Sequence, residues 1–115
     1  MNSCGIITFK PEYFDLIALG KKTSTIRKGR KQYKANTIVV LKSGSGRELS
    51  GLITRVLYIP FRELTSTMAK NDGFDTLNAL KDALMEIYKE IEDTDMMTVI
   101  EFEVKSCAKI LSHRA

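Results

Sequence analysis

GKKTSTIRKGRKQYK, Gly20 to Lys34, carries seven lysines and arginines in fifteen residues and no acid. Its reading sets the architecture. Gly20 follows an apolar run and is placed to cap a helix at its C-terminus. Thr23 to Arg27 is β-branched and alternating, which predicts a strand with Thr23, Thr25 and Arg27 on one face and Ser24 and Ile26 on the other. The following KGRKQYKA is too polar for a core element and reads as an exposed loop. A helix thus delivers a strand, and the strand delivers a basic loop. An anionic ligand is the simplest thing such a stretch could face.

Working outward, residues 4–9 (CGIITF) predict a first strand, and Pro11 suits the first turn of a short, buried helix through Leu19. After the basic loop, Thr37 to Leu41 is an apolar strand and Ser43 to Gly46 a turn. Leu49 to Ile59 is a longer strand ended by Pro60, with Leu52, Val56 and Tyr58 alternating against Ile53, Leu57 and Ile59, and Gly51 marking a bulge or bend. Phe61 to Ala69 predicts a short helix, broken near Asn71-Asp72-Gly73. Leu77, Leu80, Leu84, Ile87, Tyr88 and Ile91 keep helical spacing, which predicts a helix over 75–91 with Asp75 as N-cap. From Met97 to Val104 the alternation predicts a half-buried strand, with Ile100, Phe102 and Val104 on its apolar face.

The order β-α-β-β-β-α-α-β, with few helices and strands adjacent in sequence, argues for an α+β fold. The sheet it predicts is mostly antiparallel and curved into a barrel, with flanking helices and the basic loop at one mouth. At 115 residues the chain is expected to form one domain, 1–115, able to build a core without metal or disulfide. Nothing approaches the roughly 18 apolar residues of a membrane-spanning helix, and the N-terminus lacks the pattern of a secretory signal, so we expect a cytoplasmic protein with no membrane partner. Cys4 and Cys107 are expected as buried thiols rather than a disulfide. With a single histidine, His113, and no clustered cysteines, no zinc site can be assembled, and no metal or cofactor is expected.

The net charge of +4 hides an asymmetry. Between Leu16 and Arg47 there are nine basic residues and no acid, whereas Asp72 to Asp95 holds eight acids against Lys81 and Lys89. Lysine and arginine with interleaved hydroxyls suit phosphate. A desolvated lysine beside a threonine could instead take a proton from the hydroxyl, oriented by a carboxylate. Asp72 and Asp75 are the candidate carboxylates, although a turn and an N-cap account for them equally well. Asp82, Glu86 and Glu90 lie on the polar side of the long helix and read as a solvated face. Phe74 and Tyr88 read as core, and Tyr33 could stack on a base.

The run GKKTSTIR, followed at a distance by NDGF (Asn71 to Phe74) and VIEFEV (Val99 to Val104), resembles the ASCH domain family over roughly residues 4–105. The resemblance implies a barrel similar to that of the PUA domains, with a cleft where the lysine-threonine-arginine stretch meets the acidic turn. It implies binding of RNA or a nucleotide or nucleoside. A subset of small members are amidohydrolases that remove the acyl group from N4-acetylcytidine nucleosides with a lysine, a threonine and a glutamate. By motif position these correspond to Lys22, Thr25 and Asp72, so Asp72 stands one methylene short of the subset's glutamate. Ligand contacts are expected from Lys21, Thr23, Arg27, Lys28, Arg30 and Tyr33. Two functions follow: an RNA- or nucleotide-binding module with a basic cleft, or, as the alternative, the amidohydrolase. Lys22 and Thr25 can converge only if Lys22 lies in a turn and the strand starts at about Thr23.

Overall fold

A computed structural model describes residues 5–105. The expectations for Cys4, Cys107, His113 and the C-terminal tail fall outside them. Five strands form one curled, half-barrel sheet: β1 (Gly5–Phe9), β2 (Ser24–Lys28), β3 (Thr37–Ser43), β4 (Glu48–Pro60) and β5 (Met96–Val104). Their spatial order is β1-β3-β4-β5-β2, so β1 and β2 are the two edges. Only the β1–β3 pairing is parallel; the other three are antiparallel. Three helices accompany the sheet, α1 (Pro11–Ala18), α2 (Ser66–Asn71) and α3 (Leu77–Tyr88), with a short 3₁₀ turn at Phe61–Glu63. The architecture is the expected α+β, PUA-like one. No helix among the described residues is long and apolar enough to cross a membrane.

Each face of the sheet has its own core. One cluster packs Ile7, Phe9, Val39, Leu41, Ile53, Ile100 and Phe102 with Phe14 and Ile17 of α1. The other packs Ile26, Met97 and Val99 under Leu80 and Leu84 of α3 and Ala69 of α2. β5 therefore differs from the half-buried strand its alternation predicts: residues 97–100 are buried on both faces, because the helices cover the second one. Only Glu101 and Glu103, beyond that cover, emerge on that side.

β4 departs from simple alternation as well. Its register against β5 shifts between Ile53 and Arg55. Ile53 and Val56 consequently both face the first core, and Leu57 and Ile59 the second. The bulge falls here and not at Gly51. Gly51 is instead a matter of space, since a Cβ there would lie 2.9 Å from Leu41 Cδ1. The helix starts shift by similar local chemistry. Thr76, not Asp75, caps α3, its Oγ1 accepting from Ala79 N at 3.0 Å, and Thr65 caps α2 in the same way from Met68 N at 3.2 Å.

Candidate active-site cleft

α1 ends in a reciprocal pair of backbone bonds. Gly20 N donates to Ile17 O at 3.0 Å and Lys21 N to Leu16 O at 2.9 Å, the pattern of a Schellman cap. Gly20 adopts φ +81°, which a side chain would strain. Lys22 N also reaches Leu16 O, at 3.2 Å, so the cap fixes Lys22 just before β2 begins. Thr23 N then donates to Asn71 O at 2.7 Å and Phe102 N to Thr23 O at 3.0 Å. These bonds seat the start of β2 between β5 and the end of α2, and so set Lys22 against Asp72.

Lys22 and Asp72 are each only 4% exposed, and Lys22 Nζ forms an ion pair with Asp72 Oδ1. Nζ also donates to the Asp72 carbonyl at 3.2 Å. Asp72 is the C-terminal cap of α2, and Gly73 beyond it adopts φ +94° with its backbone close to the Lys22 Cβ. That close approach of Gly73 lies beside the contact of Lys22 with the Asp72 carboxylate. The Lys22 ammonium lies 5.7 Å from the centre of the Phe9 ring and 5.6 Å from that of Tyr13.

Burial disfavours both charges. It pushes the Asp72 carboxyl up to about 6, against the pull of Lys22, and it lowers Lys22, against the pull of Asp72. Burial, then the nearby Glu12 and Asp72, raises the Tyr13 phenol.

Thr25 is 4% exposed and faces the same cleft. Its Oγ1 accepts from Arg27 Nε at 3.2 Å, which leaves its own proton available for donation. Arg27 lies 5.3 Å from the Phe9 ring centre and donates from Nη2 to Thr8 O at 3.1 Å. The cleft has a volume of about 160 Å3, far above the roughly 10–15 Å3 that one water needs. Its far wall is α3, through Leu80, Leu84, Ile87 and Tyr88, and Phe74 closes one end.

Lys22, Thr25, Arg27 and Asp72 thus line one cleft, with Lys22 in the turn before β2, which starts at Ser24. The other residues singled out from the sequence lie elsewhere. Lys21 and Thr23 are exposed outside the cleft. Lys28 turns to the other side of the sheet, where Nζ donates to Glu90 O at 2.8 Å and lies 3.7 Å from Asp95. Arg30 and Tyr33 line a separate concavity. Tyr33 is half-buried against the first core rather than free in an exposed loop. The aromatic walls Phe9 and Tyr13 escaped the sequence reading, as did the part played by Phe74 and Tyr88. Phe74 and Tyr88 do pack on the second core, but both also line the cleft. The signal available was the position of Phe9 and Tyr13 on either side of Pro11, directly ahead of the basic stretch.

The family model that describes the ASCH domain matches residues 5–106. Among solved structures, an ASCH domain from Lactobacillus crispatus JV V101 superposes with a TM-score of 0.77 at 16% identity, covering 89% of this chain and 79% of that one. A protein of Enterococcus faecalis V583 gives 0.71 at 17% identity, covering 90% and 81%. An ASCH protein of Zymomonas mobilis gives 0.66 at 13% identity, covering 95% and 77%. At these identities the likeness is one of fold. No curated protein matches the chain in sequence.

Proposed function

The chain belongs to the ASCH domain family, a family proposed to bind RNA and containing some amidohydrolases, and from that premise we propose that its cleft takes a nucleobase-type ligand presented by an RNA, a nucleotide or a nucleoside. The observation that carries this reading is the buried Lys22–Asp72 pair laid against the faces of Phe9 and Tyr13. A buried ion pair is a poor device for stability, because desolvation offsets its attraction. At the bottom of an aromatic-walled cleft it supplies a donor and an acceptor for the polar edge of a flat heterocycle, while the rings supply stacking surface. Titration calorimetry with cytidine, N4-acetylcytidine and cytidine monophosphate tests it. Lys22→Ala and Arg27→Ala should each weaken binding at least tenfold in folded protein; undiminished binding in both sinks the reading.

A second reading, amide hydrolysis, is favoured by one further observation: a lysine with a lowered pKa shares the cleft with a threonine hydroxyl whose proton is uncommitted. Thr25 Oγ would attack the acyl carbon as Lys22 Nζ takes its proton and returns it to the departing nitrogen. Water would then cleave the resulting ester and release the acid. Arg27, bonded to Oγ1, would stabilise the hydroxyl as it gives up its proton. Incubation with N4-acetylcytidine, followed by chromatography for cytidine, checks this. Turnover that vanishes in Lys22→Ala supports it, and bound but unchanged substrate in the wild type rejects it.

A further inference from the structure

The basic loop that leaves β2 is not loose. Thr98, fully buried in β5, donates from Oγ1 to Gly29 O at 2.6 Å and accepts from Lys31 N at 2.9 Å. Tyr58 in β4 donates its hydroxyl to Lys31 O at 2.7 Å. Further on, Tyr33 packs on the first core. The loop is therefore a strap fastened to the sheet through its backbone, with the side chains of Arg30, Lys31 and Lys34 exposed. Among the described residues none of these three has a carboxylate partner, whereas Lys28 and Arg55 do. The concavity they line with Gln32, Tyr33 and Tyr58 contains no acid. Arg30 Cζ lies 4.2 Å from the centre of the Tyr58 ring, within cation–π reach.

This concavity is separate from the cleft but is its neighbour along the sheet. Arg27, Thr98 and Tyr58 are register partners across β2, β5 and β4, so they form one row on one face of the sheet. Neighbouring strands are about 4.8 Å apart, so Tyr58 lies about 10 Å from Arg27 across the row. Arg30 is three residues beyond Arg27, within about 11 Å of chain. Cations that have no acid to answer, held on an anchored backbone next to stacking surfaces, are what a single-stranded polyanion with bases requires.

We propose that the strap is a phosphate track for single-stranded RNA, so that the cleft is served by a base within a strand and not chiefly by a free nucleoside. This rests on the nucleobase reading of the cleft. Fluorescence anisotropy with a mixed-sequence single-stranded RNA of twelve nucleotides, over a salt series, tests it on the whole chain. Calorimetry with cytidine monophosphate serves as the reference. In the Arg30→Gln, Lys31→Gln, Lys34→Gln triple variant the twelve-mer should bind at least 30-fold more weakly. Its salt dependence should become shallower by about 2 in log–log slope, at about 0.7 per lost phosphate contact. The mononucleotide should bind as in the wild type. A triple variant that keeps the wild-type affinity for the twelve-mer overturns the track. Equally tight wild-type binding of duplex RNA, or of phosphatidylserine vesicles, overturns its assignment to a single strand. Failure of the cleft reading itself shows differently, as mononucleotide binding that is indifferent to both Lys22→Ala and Arg27→Ala.

Discussion

Arg27 on β2 donates from Nη2 to the carbonyl of Thr8 on β1, joining the two edge strands of the sheet across 3.1 Å. The half-barrel is therefore fastened at its open side by a residue of its own cleft, and the same guanidinium holds Thr25 Oγ1 through Nε. Structure and site share one side chain.

Removing that fastening should be felt in both. Arg27→Ala loses two hydrogen bonds from a half-buried cation, a cost of about 1–2 kcal/mol. Thermal unfolding should fall by roughly 4–8 °C, and the Thr25 hydroxyl should lose its fixed orientation. Arg27→Lys cannot make both bonds at once, so calorimetry should show ligand binding reduced with less loss of stability. A wild-type melting temperature in Arg27→Ala would show that the seam contact contributes nothing.

The buried pair should cost the fold more than it returns. Burial moves Asp72 and Lys22 toward their neutral forms, as expected where desolvation outweighs attraction. The double variant Lys22→Met, Asp72→Leu should therefore be as stable as the wild type or more stable, by up to about 4 kcal/mol, and should lose the nucleobase binding proposed for the cleft. Denaturant unfolding with parallel calorimetry checks both. A double variant much less stable than the wild type would make the pair a structural element instead.

The pH response has a definite sign. A carboxyl whose folded pKa lies above its ordinary 3.8 contributes stability that is fully present below 3.8 and is lost as pH rises through about 6. Lys22 holds that folded value down, so Lys22→Met should raise it further. The variant's melting temperature should then keep falling, relative to the wild type, from pH 6 to pH 8. At pH 5 and below the difference should narrow. A deficit that stays constant across this range would mean that Asp72 does not titrate as a buried partner of Lys22.

Much of this was legible in the sequence because local rules and tertiary packing agree there. Gly20 as a cap, β2 with Thr25 and Arg27 on one face, and the order of strands and helices follow from periodicity and turn chemistry. Other features depend on packing that no local pattern encodes. β5 looks half-buried until α2 and α3 are known to cover its second face. The bulge near Thr54, which reverses the alternation of β4, has no glycine to announce it. The contact between Lys22 and Asp72 joins residues fifty positions apart, at the α2 cap, where Gly73 packs close to Lys22. Tyr33 looked like a free loop aromatic because nothing in its neighbours indicates that the strap is tied down.

That tie is the last feature open to a direct test. Thr98 is fully buried, and its hydroxyl serves a carbonyl on one side and an amide on the other. Thr98→Val keeps the shape and β-branching but removes both bonds, stranding Gly29 O and Lys31 N at a cost of about 1–3 kcal/mol. The loss should be local, because the flanking pairs of Arg27 and Tyr58 with β5 are backbone pairs that survive the change. Amide hydrogen exchange at Lys31 should accelerate by at least tenfold, with the amides of β4 and β5 unaffected. If the strap serves a strand of RNA, twelve-mer affinity should fall although every strap cation is still present, since ordering the strap would then be charged against binding. Faster exchange at Lys31 with unaltered RNA affinity would detach the anchoring of the strap from its use.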